Sequence, residues 1–393
     1  MWDWFFTLCI FTKEGYNKMK YYIIAGEPSG DLHASNFMKE LDQLDKNAEY
    51  RFLGGDLMEK VAHRKPTIHI EKMAFMGFVD VAKNLGKIKT NFKTVKADIL
   101  DYKPDVVILV DYPGFNLRMA KWAKENGFKV FYYISPTVWA WKEGRVKIIK
   151  QYVDKMFVIL PFEPPFYEKY DCKAEFVGHP LLDAIEERKR TLLSKEEFVS
   201  KNKLSKKPLI AVLPGSRKQE LQYMFDIMLQ LKDKFREYEF VIGGTSNIPE
   251  EMYNKATEKG FKVVYDQTYE LMQYARAGVI KSGTSTLEAA LFELPEVVCY
   301  RAGALSLWIA RQVVNKDLKY ISLVNLIMDR EIVKELIQQD MTIENISAEL
   351  NLLLNDENHR NEMIRDYKEL KTKLGGLGAS KRIAVSMYND LKN

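Results

Sequence analysis

A chain of 393 residues that is 47% hydrophobic and 29% charged has apolar material for two cores and enough charge to remain in water. The net charge of +5 is too small to argue for nucleic acid, and the three cysteines, Cys9, Cys172 and Cys299, lack the paired spacing of a disulfide framework or a thiolate zinc site, so a reducing cytoplasm fits best. No stretch reaches the roughly 18 consecutive apolar residues of a membrane-spanning helix.

Residues 1–18 are rich in Trp and Phe, with Asp3 where a signal peptide would carry positive charge, so they are expected to be an extension or a start-site artefact rather than a secretion signal. Met19 precedes a clean strand pattern, Tyr21–Ala25, followed by further strand-like runs at Arg51–Leu53, Val106–Val110, Val130–Ile134, Met156–Leu160 and Ala174–Val177. Several are continuous apolar runs, as parallel strands buried on both faces require. Helical stretches alternate with them, which means an open α/β sheet. After the charged stretch Glu186–Arg190 the rhythm restarts with Leu209–Leu213, Phe240–Ile242, Lys262–Val264, Gly278–Ile280 and Glu296–Tyr300. Two doubly wound domains joined near residue 190 are therefore expected. Beyond Ile327 the chain reads as helices: Ile332, Val333, Leu336 and Ile337 share one face, and Leu350–Leu354 begins another apolar patch.

Ligands of open parallel sheets sit beyond the carboxyl ends of the strands, so motifs there carry most weight. The first such turn, Gly26-Glu27-Pro28-Ser29-Gly30-Asp31, supplies a tight bend and Ser29 or Asp31 as a helix cap, and it is not the G-x-G-x-x-G fingerprint. Asp111 follows the buried run Val106–Val110 directly; its carboxylate either caps the next turn or faces a ligand. Leu213-Pro214-Gly215-Ser216-Arg217 repeats the pattern, with Ser216-x-x-Gln219 as a candidate cap and Arg217 as a cation set against the positive end of a helix dipole unless an anion binds there. The heptad Ser282-Gly283-Thr284-Ser285-Thr286-Leu287-Glu288 stands in the equivalent place and opens an apolar helix-like segment that Pro295 ends. Its N–H groups suit phosphate or diphosphate, while Ser285-x-x-Glu288 also reads as a capping box. Arg217 and the heptad together could hold a diphosphate.

Absences narrow the chemistry: there is no P-loop, no His-Glu-x-x-His, no Cys-x-x-Cys and no Asp-x-Asp. His179 lies just past a strand in Phe176-Val177-Gly178-His179-Pro180, where it either lines a site or supports the turn.

The segments Ala25–Asp31, Met76-Gly77-Phe78, Asp111–Asn116, Ser135-Pro136-Thr137-Val138-Trp139-Ala140-Trp141, Phe176–Pro180, Leu213–Arg217 and Ser282–Glu288 occur in this order over nearly the whole chain from Met19. Together they resemble the motifs of the lipid-A-disaccharide synthase family. That resemblance implies a GT-B glycosyltransferase: two doubly wound Rossmann-like domains facing across an interdomain cleft, with no metal or other cofactor. It implies an acceptor and lipid-binding domain over 19–190, a UDP-sugar domain over 191–365, and a C-terminal helix over 366–393 that this architecture commonly returns to the first domain. The implied reaction joins UDP-2,3-diacylglucosamine to 2,3-diacylglucosamine 1-phosphate, giving a β-1,6-linked disaccharide and UDP with inversion at the anomeric carbon.

By the same resemblance, Asp111 matches the candidate base and Arg217 a residue of catalysis or diphosphate binding. Ser282, Gly283, Thr284, Ser285 and Thr286 form the UDP end, with Glu288 as the acid on the ribose hydroxyls. Asn325 matches a family asparagine, although Val324 stands where Leu-Pro-Asn is usual. Glu27, Ser29 and Gly30 fall on the acceptor side. A diacylated substrate must be drawn from a bilayer. Met73, Phe75, Met76, Phe78 and Val79 stand beside a stretch with Lys83, Lys87, Lys89, Lys93 and Lys96, and Trp139 and Trp141 precede Lys142 and Arg145. This composition suits a peripheral protein on the cytoplasmic face of the inner membrane, and a solvated lysine face over an ordinary core is its plain alternative. A homodimer is compatible with the sequence, and nucleic acid is not expected as a partner. The rival readings are a UDP-sugar 2-epimerase of related fold, against which the apolar and lysine-flanked region and Trp139-Ala140-Trp141 speak, and a non-catalytic lipid-binding scaffold, which would need neither Asp111 nor Arg217.

Overall fold

Apolar runs long enough to be buried on both faces set the centre of each sheet. Val106–Val110 (β4) and Leu209–Leu213 (β8) are buried along their whole length. The computed structural model describes residues 18–73, 85–141, 143–303 and 318–392. Residues 1–17, Phe75, Met76, Phe78, Val79, Lys83 and Lys142 lie outside the described residues.

The strands of the first sheet are Lys20–Ala25 (β1), Glu49–Gly54 (β2), Ile68–His69 (β3), β4, Val130–Tyr133 (β5), Lys155–Val158 (β6) and Glu175–Phe176 (β7). They are ordered β3-β2-β1-β4-β5-β6-β7, and β1 pairs in parallel with both β2 and β4. The second sheet holds β8, Glu239–Gly244 (β9), Lys262–Tyr265 (β10), Ala277–Lys281 (β11), Glu296–Tyr300 (β12) and Lys334–Ile337 (β13). Its order is β10-β9-β8-β11-β12-β13, with every neighbouring pair parallel. Among the described residues, one compact unit takes those up to Tyr133 with Gln151–Lys155 and Ile383 onward, and the other takes Ile134–Lys150 and Met156–Arg382.

Each order reverses once, between β1 and β4 and between β8 and β11. Successive crossovers leave a reversal point on opposite sides, which opens a crevice at the carboxyl ends of the two central strands. Register places Ala25 beside Val110 and Ile280 beside Leu213. The turns that begin at Gly26 and Asp111 therefore emerge side by side, as do those after Leu213 and Lys281.

Two local expectations are corrected. Lys334–Ile337 is a strand rather than part of a helix: its backbone pairs with β12, Leu336 lying opposite Cys299, and a short edge strand with one buried side chain does not show a helical face. Neither Ser29 nor Asp31 caps the helix Pro28–Leu44, whose first position is the proline itself. Asp31 is buried and caps the next helix, Asp56–Ala62: its carboxylate accepts the N–H groups of Gly55, Leu57 and Met58 at 2.8, 3.1 and 3.1 Å. His179 is buried as well, and its Nδ1 accepts the Leu181 N–H at 3.2 Å. The chain ends in the helices Ile343–Asn355, Glu357–Lys373 and Ala379–Lys392. Asp183 caps the last of these through Gly378 and Ser380, and Lys129 Nζ donates to Asp390 O at 2.9 Å.

Candidate active site

At the reversal point of the first sheet, Asp111 and Tyr112 both adopt left-handed backbone, at φ 45° and 49°, before Pro113 opens the helix Pro113–Glu125. Asn116, fully buried, holds this bend: its Nδ2 lies 2.7 Å from Asp111 O, 3.1 Å from Val110 O and 3.3 Å from Ile24 O. Tyr132 adds a hydrogen bond to Asp111 O at 2.7 Å. Gly26 is required here, because a Cβ would run into the Tyr112 ring. The Tyr112 side chain makes no cap at the helix start, and the Asp111 carboxylate accepts the Tyr112 N–H, so it also bonds within its own turn. Burial, with the negative charge of Glu27 nearby, pushes its carboxyl up to about 6. Glu27 and Ser29 are exposed at the mouth of the neighbouring turn, and Gly30 is buried against Ala25.

At the reversal point of the second sheet lies a cavity of about 430 Å³, lined among others by Arg217, Lys281, Gly283, Thr284, Ser285 and Glu288. Arg217 is exposed at the N-cap of the helix Lys218–Met228, one position ahead of the first turn, and no side chain caps that helix. Ser216 is therefore not a cap. The helix Thr284–Leu291 likewise has Gly283 at its N-cap and no side-chain cap. Ser285 thus lies inside the first turn, and the capping-box reading of Ser285 and Glu288 is corrected. The first N–H groups of this helix have no intrahelical acceptor and sit at the positive end of its dipole. Glu288 accepts from the Tyr269 hydroxyl at 2.7 Å and from Ser285, and burial raises its carboxyl above the ordinary range.

Three expected ligand residues turn away from the cavity. Ser282 is buried, with its hydroxyl 3.3 Å from Ile321 O, and Thr286 is fully buried, with its hydroxyl on Gly283 O at 2.8 Å. The Asn325 side chain is consumed by a latch: Oδ1 accepts from Ile332 and Val333 N–H, while Nδ2 donates to Val333 O and Glu335 Oε1. Glu335 in turn accepts from the Ser322 hydroxyl. Glu220, Lys281 and Tyr269 are among the lining residues to which the sequence assigns no role. Lys281 had a readable signal, a charge that ends an apolar strand run as Asp111 does.

Of the side chains expected at a lipid surface, Lys87 and Lys89 are exposed on the helix Leu85–Tyr102. Trp139 is corrected: it is 8% exposed and packs edge-on against Phe162 at 5.0 Å, so it serves the core. Trp141 remains partly exposed, donates to Thr137 Oγ1 at 3.0 Å and has the Arg145 guanidinium 5.3 Å from its ring. Among the described residues no helix is long and apolar enough to cross a membrane, and no cluster of His, Cys, Asp or Glu could hold a metal ion.

Residues 21–385 match the family model described as lipid-A-disaccharide synthetase. The lipid-A-disaccharide synthase of Geobacter metallireducens is 36% identical over 370 residues, covering 92% of this chain and 94% of that one. The lipid-A-disaccharide synthase of Nitrosococcus oceani is 37% identical, covering 92% and 94%. Among solved structures, the UDP-GlcNAc 2-epimerase of Neisseria meningitidis bound to UDP-GlcNAc has the same fold, with a TM-score of 0.63 at 15% identity over 95% of this chain and 100% of that one. Likeness at that identity shows the fold alone. Because both reversal-point turns lie within the matched span, and because kinship above a third extends over nine-tenths of the sequence, the chain belongs to the lipid-A-disaccharide synthase family.

Proposed function

We propose that the protein transfers the 2,3-diacylglucosaminyl group of UDP-2,3-diacylglucosamine to 2,3-diacylglucosamine 1-phosphate, forming the β-1,6-linked disaccharide and UDP. The acceptor 6-hydroxyl oxygen attacks the anomeric carbon as the bond from that carbon to the diphosphate oxygen breaks. UDP leaves with the bonding electrons, and Asp111 takes the hydroxyl proton. A carboxylate is a weak base for an alcohol, so proton transfer runs late and in concert with attack. The observation that carries this reading is the Asp111 carboxyl itself, held in a left-handed bend at a strand end and pushed up to about 6, which makes it a better base than an ordinary aspartate.

Arg217 and the N–H groups at Gly283–Ser285 neutralise the departing diphosphate, a role suited to donors fixed before reaction. Glu288, positioned by Tyr269, takes the ribose hydroxyls. Residues 19–190 serve the acceptor and the lipid, and 191–365 serve the nucleotide sugar. The protein works attached peripherally to the cytoplasmic face of the inner membrane, with Lys87, Lys89 and Trp141 at the lipid surface.

The shared fold favours one rival, a UDP-sugar 2-epimerase, and the kinship with synthases weighs against it. Incubating the pure protein with both acylated sugars and following UDP and disaccharide separates the two. Disaccharide formation is expected; binding of UDP without disaccharide would overturn the synthase reading.

A further inference from the structure

In the cavity of the second unit, Glu220 holds the place of an anion. Its Oε2 accepts the Ser216 N–H at 3.1 Å, and its Oε1 lies 2.8 Å from Lys281 Nζ. Both side chains are largely buried, at 18% and 17% exposed. A backbone N–H from a small-residue turn, beside an ammonium group, is a donor set that phosphate oxygens take. Here the chain's own carboxylate fills it. Gly215, at φ 111°, permits the approach, since a Cβ there would collide with Glu220 Oε2. Both donors line the cavity that also holds Arg217 and the first turn of the helix Thr284–Leu291.

Glu220 is reached from the sequence only through its neighbour Arg217, three positions earlier at the N-cap of the same helix. From that helix the carboxylate reaches back over the turn to a lysine on β11, so two elements that converge at the reversal point are tied by one ion pair. An ion pair in this place leaves the cavity one effective cation short. Arg217 stays exposed, whereas the Lys281 charge is already met.

We propose that Glu220 is an internal occupant of the diphosphate site, displaced from Ser216 N–H and Lys281 when the nucleotide binds and returning to them as the product leaves. This inference rests on the nucleotide reading above and extends it. A carboxylate and a diphosphate cannot share one ammonium and one N–H without mutual repulsion, so each binding event breaks the internal pair and each release restores it. The internal pair therefore limits the affinity for UDP and favours its release. No bond to the sugar is involved, and the device works on the binding of anions alone.

The test is calorimetric titration of the full chain with UDP and, separately, with inorganic pyrophosphate. Glu220→Gln and Glu220→Ser free the donors without adding charge, and each is expected to bind both probes about tenfold more tightly, the effect of one charge-assisted hydrogen bond no longer contested. Lys281→Met is expected to bind both at least about tenfold more weakly. Whichever Glu220 variant keeps the near-ultraviolet dichroism of the wild type is the one read. Unchanged or weaker binding of pyrophosphate by that variant would overturn the proposal and make Glu220 a fixed support for Lys281. Tighter pyrophosphate binding, with UDP bound by neither variant nor wild type, would uphold the displacement and remove the UDP reading instead.

Discussion

Asp111 combines two features that folding alone does not favour: consecutive non-glycine residues in left-handed backbone and a carboxyl pushed up to about 6. A raised carboxyl is a competent base only when deprotonated, so kcat/KM is expected to rise with pH through about 6 and then level off. Glu27→Gln removes the negative charge that helps hold that proton, and the acid limb should move to lower pH. Asp111→Asn should lower turnover by about 10²–10⁴-fold while UDP still binds; an unchanged acid limb in that variant would assign the titration to another group. A second carboxyl, Glu296, shows the structural form of the same physics. It is fully buried, neither oxygen has a hydrogen-bond partner among the described residues, and burial raises it well above the ordinary 4.5. The folded state keeps this proton where the unfolded chain releases it, so stability is lost as pH rises above about 4.5, at up to about 1.4 kcal/mol per pH unit. Glu296→Gln should abolish that slope and unfold at higher temperature than wild type at neutral pH.

Among elements, strands buried on both faces were readable, and at the sheet edges Ala174–Val177 and Lys262–Val264 were readable while Ile68–His69 and Lys334–Ile337 were not. Val106–Val110 and Leu209–Leu213 begin and end where the apolar pattern does, because a central parallel strand has no solvent face to show. Two-residue Ile68–His69 and the edge strand Lys334–Ile337 have too little burial to impose a pattern. Helix starts misled for a different reason. Ser285 stands inside its helix and bonds Glu288 three positions on rather than capping the start, and Asp31 is used on the helix Asp56–Ala62, a bond across the fold that leaves no mark in local sequence. Asn325 is the sharpest case: the motif pointed to a ligand, and the side chain is spent on Ile332, Val333 and Glu335. Asn325→Ala leaves these buried donors and acceptors unmet, and a loss of about 2–4 kcal/mol in urea unfolding is expected. A variant as stable as wild type but weak in UDP binding would return Asn325 to the ligand.

At the scale of the whole molecule, the attachment to a bilayer proposed above rests on surface chemistry; no described helix is long and apolar enough to span one. The net charge of +5 spread over 393 residues gives little attraction by itself, so local clusters decide. The helix Leu85–Tyr102 supplies one: Lys87, Lys89 and Lys93 are exposed, whereas Lys96 is drawn over the Trp122 ring at 5.2 Å. Each exposed lysine near an anionic surface contributes about 1 kcal/mol, so replacing all three by alanine should weaken binding to phosphatidylserine-containing vesicles by roughly 100-fold. Wild-type binding should fall as salt rises, since the Debye length shrinks from about 10 Å at 0.1 M to about 3 Å at 1 M. Trp141→Ala should weaken binding to neutral vesicles too, because a ring at the headgroup level acts through burial rather than charge. Vesicle binding that ignores both salt and the lysine substitutions would leave the apolar contribution alone and confine these lysines to keeping the helix in water.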